Sequence, residues 1–133
     1  MGGETRRRRV LVVEDNRANL RLFQRILGRR PGLELLDAST GQAGLELARS
    51  CRPDLLLLDL HLPDMGGRDL LAVLRREAST SEIPVVIVSA DATPDQVARL
   101  TSDGVAAYLT KPIDVSELLG TVDRVLAGPP GAA

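Results

Sequence analysis

Short apolar runs and amphipathic stretches alternate along almost the whole chain. Residues 10–13 are uninterrupted Val and Leu halted by Glu14-Asp15-Asn16, after which Leu20, Leu22, Phe23, Ile26 and Leu27 recur at helical spacing. A four-residue apolar run with polar stops reads as a strand buried on both faces, and the spacing after it as a helix with one apolar face, N-capped by Asn16. The unit then repeats. Residues 33–36 predict a second strand running to Asp37, and residues 42–50, opened by Thr40 and Gly41, a second helix. Leu55–Leu58 predicts a third strand, stopped by Asp59, and Leu70, Leu71, Val73 and Leu74 mark a third helix ending near Ala78. Residues 83–88 predict a fourth strand, with Pro84 near its start, where a missing N–H is tolerated. Thr93-Pro94-Asp95-Gln96 is a capping box with Pro at the first helical position, predicting a helix from Pro94 to about Asp103. Residues 106–109 predict the fifth strand, and Val115, Leu118, Val122 and Val125, behind a second box at Asp114 and Glu117, stripe the last helix.

Strict alternation over short connections predicts a doubly wound α/β fold. Its five-stranded parallel sheet is flanked by five helices with right-handed crossovers, and with the strand order 2-1-3-4-5 strands 1 and 3 would be neighbours. Ligands of such sheets sit beyond the carboxyl ends of the strands, where the strand order reverses. That end carries Glu14 and Asp15 after strand 1, Asp59 after strand 3, Ser89 after strand 4 and Lys111 after strand 5, with Asp37 close to the end of strand 2. Carboxylates crowded this way repel one another unless a hard divalent cation sits among them, and oxygen ligands suit Mg²⁺. Lys111 is the only lysine beside sixteen arginines. A compact ammonium differs from a planar guanidinium chiefly in a tight site beside a single oxygen. Carboxylate nucleophile, metal, hydroxyl and cation together are the parts that phosphoryl transfer requires. No Gly-rich P-loop or dinucleotide fingerprint occurs, so the phosphate is not expected to arrive on a bound nucleotide.

Composition narrows the picture. The 133 residues, 44% of them hydrophobic, supply one core and one domain, expected over residues 9–127. A formal net charge of -1 gives no global field for nucleic acid or an anionic membrane. Arg6 to Arg9 are the local exception, expected to belong to a solvated basic tail over residues 1–8; residues 128–133 are linker-like. Cys51 is the only cysteine and reads as a packing residue without a disulfide. No signal-peptide pattern or long apolar span occurs, so a cytoplasmic location is expected. His61 is the only histidine, which argues against a kinase or phosphotransfer module with its own histidine, unless His61 itself serves.

Val-Val-Glu-Asp-Asn at 12–16, Leu-Leu-Asp-Leu-His-Leu-Pro-Asp-Met-Gly-Gly at 57–67, Val-Ser-Ala at 88–90 and Tyr-Leu-Thr-Lys-Pro at 108–112 stand in order along the chain. In these motifs and their spacing, residues 9–126 resemble the receiver domain of two-component response regulators, a flavodoxin-like fold. The resemblance implies that Asp59 accepts a phosphoryl group from a phosphohistidine of a histidine kinase or histidine phosphotransfer protein. It implies that Asp15, Asp59 and the His61 backbone carbonyl ligate Mg²⁺, with Glu14 acting mostly through water. Lys111 matches the lysine that pairs with the phosphoryl oxygens, Ser89 the hydroxyl that moves toward them, and Tyr108 the aromatic that turns inward. The Lys111-Pro112 bond matches one that is cis in the family. Such a domain is not an enzyme beyond its own phosphorylation and dephosphorylation, and a homodimer through the fourth helix, fifth strand and fifth helix is expected.

Departures and rivals bear on this reading. Gly66 stands where the family often has Asp or Asn to cap the third helix, so that start is expected to be looser. His61 and Asp91 occupy the variable positions that resemble the family's controls on phosphoryl lifetime. Ala18, Leu22, Pro112 and Ile113 are expected to form an apolar patch beside Asp59, open to a docking partner or taken into the core. One rival is an interaction module that keeps the fold and works without phosphorylation. The other is a haloacid dehalogenase-like phosphatase; those carry a second Asp two residues after the nucleophile, where this chain has His61.

Overall fold

The computed structural model describes residues 7–90 and 93–127; residues 1–6 of the predicted N-terminal tail, the whole predicted tail 128–133, and Asp91 lie outside the described residues. Strands β1 (Arg8–Val13), β2 (Leu33–Ala38), β3 (Leu55–Leu58), β4 (Val85–Ser89) and β5 (Ala107–Thr110) form one parallel sheet in the order β2-β1-β3-β4-β5. Between and after them run α1 (Arg17–Leu27), α2 (Gly41–Cys51), α3 (Gly67–Arg76), α4 (Pro94–Ser102) and α5 (Val115–Ala127). This is the doubly wound α/β architecture that the alternation predicts.

All four residues of β3 are buried, because successive side chains point to opposite faces and both faces are covered. On one face Leu11, Val13, Leu56, Leu58 and Ile87 meet Leu45 and Ala48 of α2 and Leu70, Leu71 and Leu74 of α3. On the other Val10, Val12, Leu55, Leu57 and Val86 meet Phe23, Ile26 and Leu27 of α1 and Leu118 and Val122 of α5. Of α4, no side chain among the described residues is buried. The helices run back to the edge where the strands begin, and each ends on arginine there: Arg25, Arg49, Arg75 with Arg76, Arg99 and Arg124. A cation in the last turn complements the negative end of the helix dipole.

The predicted caps form, with side-chain oxygens of Asn16, Thr40, Thr93 and Asp114 accepting the amides of Asn19, Ala43, Gln96 and Glu117. The α3 start differs. Gly66 is its N-cap and offers no side-chain hydrogen bond, as the departure at that position implies. Boundaries move by a residue or two, and three of the shifts have a visible cause. β1 begins at Arg8, whose amide reaches the Gly32 carbonyl at 3.0 Å. β4 begins at Val85, since Pro84 has no N–H and Ile83 instead bonds back to the Thr80 carbonyl. α3 stops at Arg76, where the buried Thr80 hydroxyl donates to the Leu74 carbonyl at 2.7 Å and Arg75 donates to the carbonyls of Ser81 and Ile83. The Lys111-Pro112 bond is cis.

Candidate functional site

Parallel strands deliver the predicted residues to one edge. Val13 lies beside both Ala38 and Leu58 in the ladder, so the residues that follow β1 and β3 emerge side by side where the strand order reverses. One oxygen from each of the Glu14, Asp15 and Asp59 carboxylates lies within 4.8 Å of the others. Glu14 and Asp59 are buried while Asp15 is exposed, so the group opens to solvent on the Asp15 side. A cleft of about 590 Å³ adjoins it, lined among others by Glu14, Asp15, Arg21, Asp37, Thr40 and Pro63.

Lys111, directly after β5, reaches back across the sheet edge. Its Nζ donates to Glu14 Oε1 at 2.9 Å and to Asp59 Oδ2 at 3.4 Å. The Lys111 backbone amide donates to the Ser89 carbonyl at 2.9 Å, which ties the ends of β4 and β5 together. The other Asp59 oxygen, Oδ1, accepts the His61 amide at 3.1 Å, and Glu14 Oε2 accepts the Asn16 amide at 3.2 Å. Burial pushes the Glu14 carboxyl up from its ordinary value; the bond from Lys111 opposes this and the neighbouring Asp59 adds to it. Burial alone would lower the Lys111 ammonium, but its bond to Glu14 and the Asp59 charge hold it above its usual value. One ammonium is thus shared by two buried carboxylates.

Three carboxylates make an all-oxygen donor set that fits a hard divalent cation better than a thiophilic metal. Glu14, Asp15 and Asp59 are the residues that would hold it. Ser89 ends β4 and is fully buried; Tyr108 is half-buried on β5, packed against the core on the α2 and α3 face. Ala18 and Pro112 are exposed, whereas Leu22 and Ile113 pack partly into the opposite core, so the predicted apolar patch divides between surface and interior.

Sequence reasoning passed over Asp64. Its Oδ1 accepts the Gly41 amide at 2.7 Å and its Oδ2 the Gln42 amide at 2.9 Å, which places a carboxylate from the β3–α3 loop on the N-terminus of α2. Those two amides hold the Asp64 carboxyl below its ordinary value. An acid after Pro63 was visible, but its partners lie 22 and 23 residues earlier, where no local pattern points.

The doubly wound sheet thus carries, at its switch point, an acidic group bridged by a single lysine. Residues 10–123 match the family model of the response regulator receiver domain. The chain belongs to this family. It is 35% identical over 117 residues to the polar-differentiation response regulator DivK of Brucella anthropi, covering 88% of this chain and 94% of that protein. Among solved structures, the non-phosphorylated HemR receiver domain of Leptospira biflexa matches with a TM-score of 0.83 at 27% identity, over 92% of this chain and 97% of that one. The phosphorylated cyanobacterial phytochrome response regulator RcpA matches with a TM-score of 0.75 at 30% identity, over 90% and 91%. Members of the family are switches in two-component signalling, not classical enzymes, and work with histidine kinases or phosphotransfer proteins. Among the described residues no helix is long and apolar enough to cross a membrane.

Proposed function

We propose that the chain is a phosphorylation-controlled switch that takes a phosphoryl group onto Asp59 from a phosphohistidine partner. The observation that carries this reading is the shared ammonium: Lys111 lies on both Glu14 and Asp59, in a site that opens to solvent beside Asp15. An Asp59 oxygen attacks phosphorus, and the O–P bond forms as the P–N bond to the donor imidazole breaks. The electron pair stays on that ring nitrogen and, with the other ring nitrogen protonated, neutral histidine leaves. Mg²⁺, held by Glu14, Asp15, Asp59 and the His61 carbonyl, would neutralise charge on the transferring oxygens. Lys111 meets the same charge from the β5 side, and its bond to Asp59 orients that carboxylate. The Ser89 hydroxyl then accompanies the new phosphoryl group, Tyr108 follows it inward, and the α4–β5–α5 face carries the change to a partner or a second copy.

Incubation with acetyl phosphate and Mg²⁺, or with a phosphorylated histidine phosphotransfer protein, is expected to add one phosphoryl group by intact mass. Asp59→Asn should add none, and chelation of Mg²⁺ should suppress the wild-type reaction. A wild-type chain left unmodified by both donors would overturn the reading in favour of a phosphorylation-independent interaction module. Steady turnover of p-nitrophenyl phosphate would overturn it in favour of a phosphatase.

A further inference from the structure

The loop between β3 and α3 is anchored at two places. On the α3 side, the Gly67 amide donates to the Leu60 carbonyl at 2.9 Å, and His61 pairs with Gly66 across an antiparallel bridge. A Cβ on Gly67 would stand 2.7 Å from the Asp59 carbonyl oxygen, so backbone meets backbone there. On the α2 side the anchor is the Asp64 carboxylate on the amides of Gly41 and Gln42. Met65 closes over the same turn, since a Cβ on Gly41 would lie 2.7 Å from its sulfur.

Asp64 caps α2 from another segment, on the Gly41 and Gln42 amides that the local cap does not reach. That local cap is Thr40 Oγ1, which accepts the Ala43 amide at 3.0 Å. What Asp64 adds beyond capping is a tie between two strands. Helix α2 is seated on β1 through Gly44, where a Cβ would meet Val13 Cγ2 at 2.8 Å, and Val13 directly precedes Glu14 and Asp15. Asp64 is three residues beyond His61 and five beyond Asp59. The path from the β3 half of the acidic group to the β1 half therefore runs Asp59, His61, Asp64, α2, Val13, Glu14, beside the direct ladder contacts between the two strands.

We infer that Asp64 is a positioning residue: it sets the His61 carbonyl and Asp59 against Glu14 and Asp15 at the spacing that a shared divalent cation requires. The inference rests on the proposed Mg²⁺-dependent reading of this site. Partners that orient metal ligands without touching the metal typically alter affinity 10–100-fold when removed.

The test compares Mg²⁺ titrations of the full chain, followed by amide NMR shifts, for wild type, Asp64→Ala, Asp64→Asn and Thr40→Ala. Asp64→Ala is expected to raise the Mg²⁺ Kd about tenfold. Its phosphorylation rate with acetyl phosphate should return to within about twofold of wild type once Mg²⁺ is saturating, as expected where only cation binding is weakened. Asp64→Asn, whose amide oxygen still accepts one N–H, should fall between; it carries the comparison if the alanine variant does not fold. Thr40→Ala removes the local cap from the same helix end and should lower Tm while leaving the Kd within about twofold. An unchanged Kd in the Asp64 variants, or an equal rise in Thr40→Ala, would overturn the positioning role alone. A wild-type chain that binds no Mg²⁺ at millimolar concentration would overturn the parent reading with it.

Discussion

The two sides of the site are built to different stiffness. On the β1–α2–β3 side, Leu45 and Ala48 are buried, the loop after β3 is pinned at Gly67 and Asp64, and the acidic residues follow strands whose last residues are inaccessible. On the β4–α4–β5 side, Pro94, Asp95, Ala98, Arg99 and Ser102 of α4 are exposed, and the edge strand β5 buries only Leu109. Cation ligands must hold their geometry, whereas a switching element must leave it, and conformational change is drawn from the parts with fewest buried contacts. Ser89 sits at the seam between the two regimes, fully buried at the end of β4.

Amide hydrogen exchange gives the sharpest test of that contrast. Amides of β1 and β3 are expected to exchange only through global opening, and those of α4 through local opening at least about 100-fold faster. Equal protection in the two would break the comparison. Core truncation should follow the same division in urea denaturation: Phe23→Ala, which empties a buried site under α1, is expected to cost about 3–5 kcal/mol, and Val97→Ala on the half-buried face of α4 about 1 kcal/mol or less.

Acid should loosen the stiff side first. The Asp64 carboxyl is held below its unfolded value by the α2 amides, so its contribution is fully present above that unfolded value, near 4, and is lost as pH falls through the lower folded value. Asp64→Asn should therefore flatten the pH dependence of Tm in that acidic window and leave it unchanged near neutrality. The smallest effect is expected at Gly66. Its extended backbone, φ -71 and ψ 147, accepts any residue, so Gly66→Asn should supply the missing α3 cap and raise stability by a few tenths of a kcal/mol.

Much of the fold could be read from the chain because its signals are local. Four apolar residues at 55–58 cannot form a globular helix, and Asn16, Thr40, Thr93 and Asp114 mark helix starts with their own side chains. The grouping of Glu14, Asp15, Asp59 and Lys111 was legible one step later, since parallel topology alone brings residues after strands to one edge. What was not legible is pairwise geometry. That Lys111 lies closer to Glu14 than to Asp59 depends on where strand twist places the end of β5, and no spacing in the sequence encodes it. Asp64 escaped for the same reason: a carboxylate that caps a helix from another segment leaves no i to i+3 pattern. The early start of β1 rests on a backbone bond to Gly32, which side-chain patterning cannot reveal.

Arginine at the end of every helix has a consequence beyond capping. With carboxylates gathered at the opposite edge of the sheet, a chain of formal net charge -1 carries a local negative potential there that its net charge does not report. A cationic surface on another protein would be drawn toward that acidic edge before the two touch. Attraction during approach makes the rate of encounter fall as added salt shortens the reach of that field to about 8 Å at physiological ionic strength.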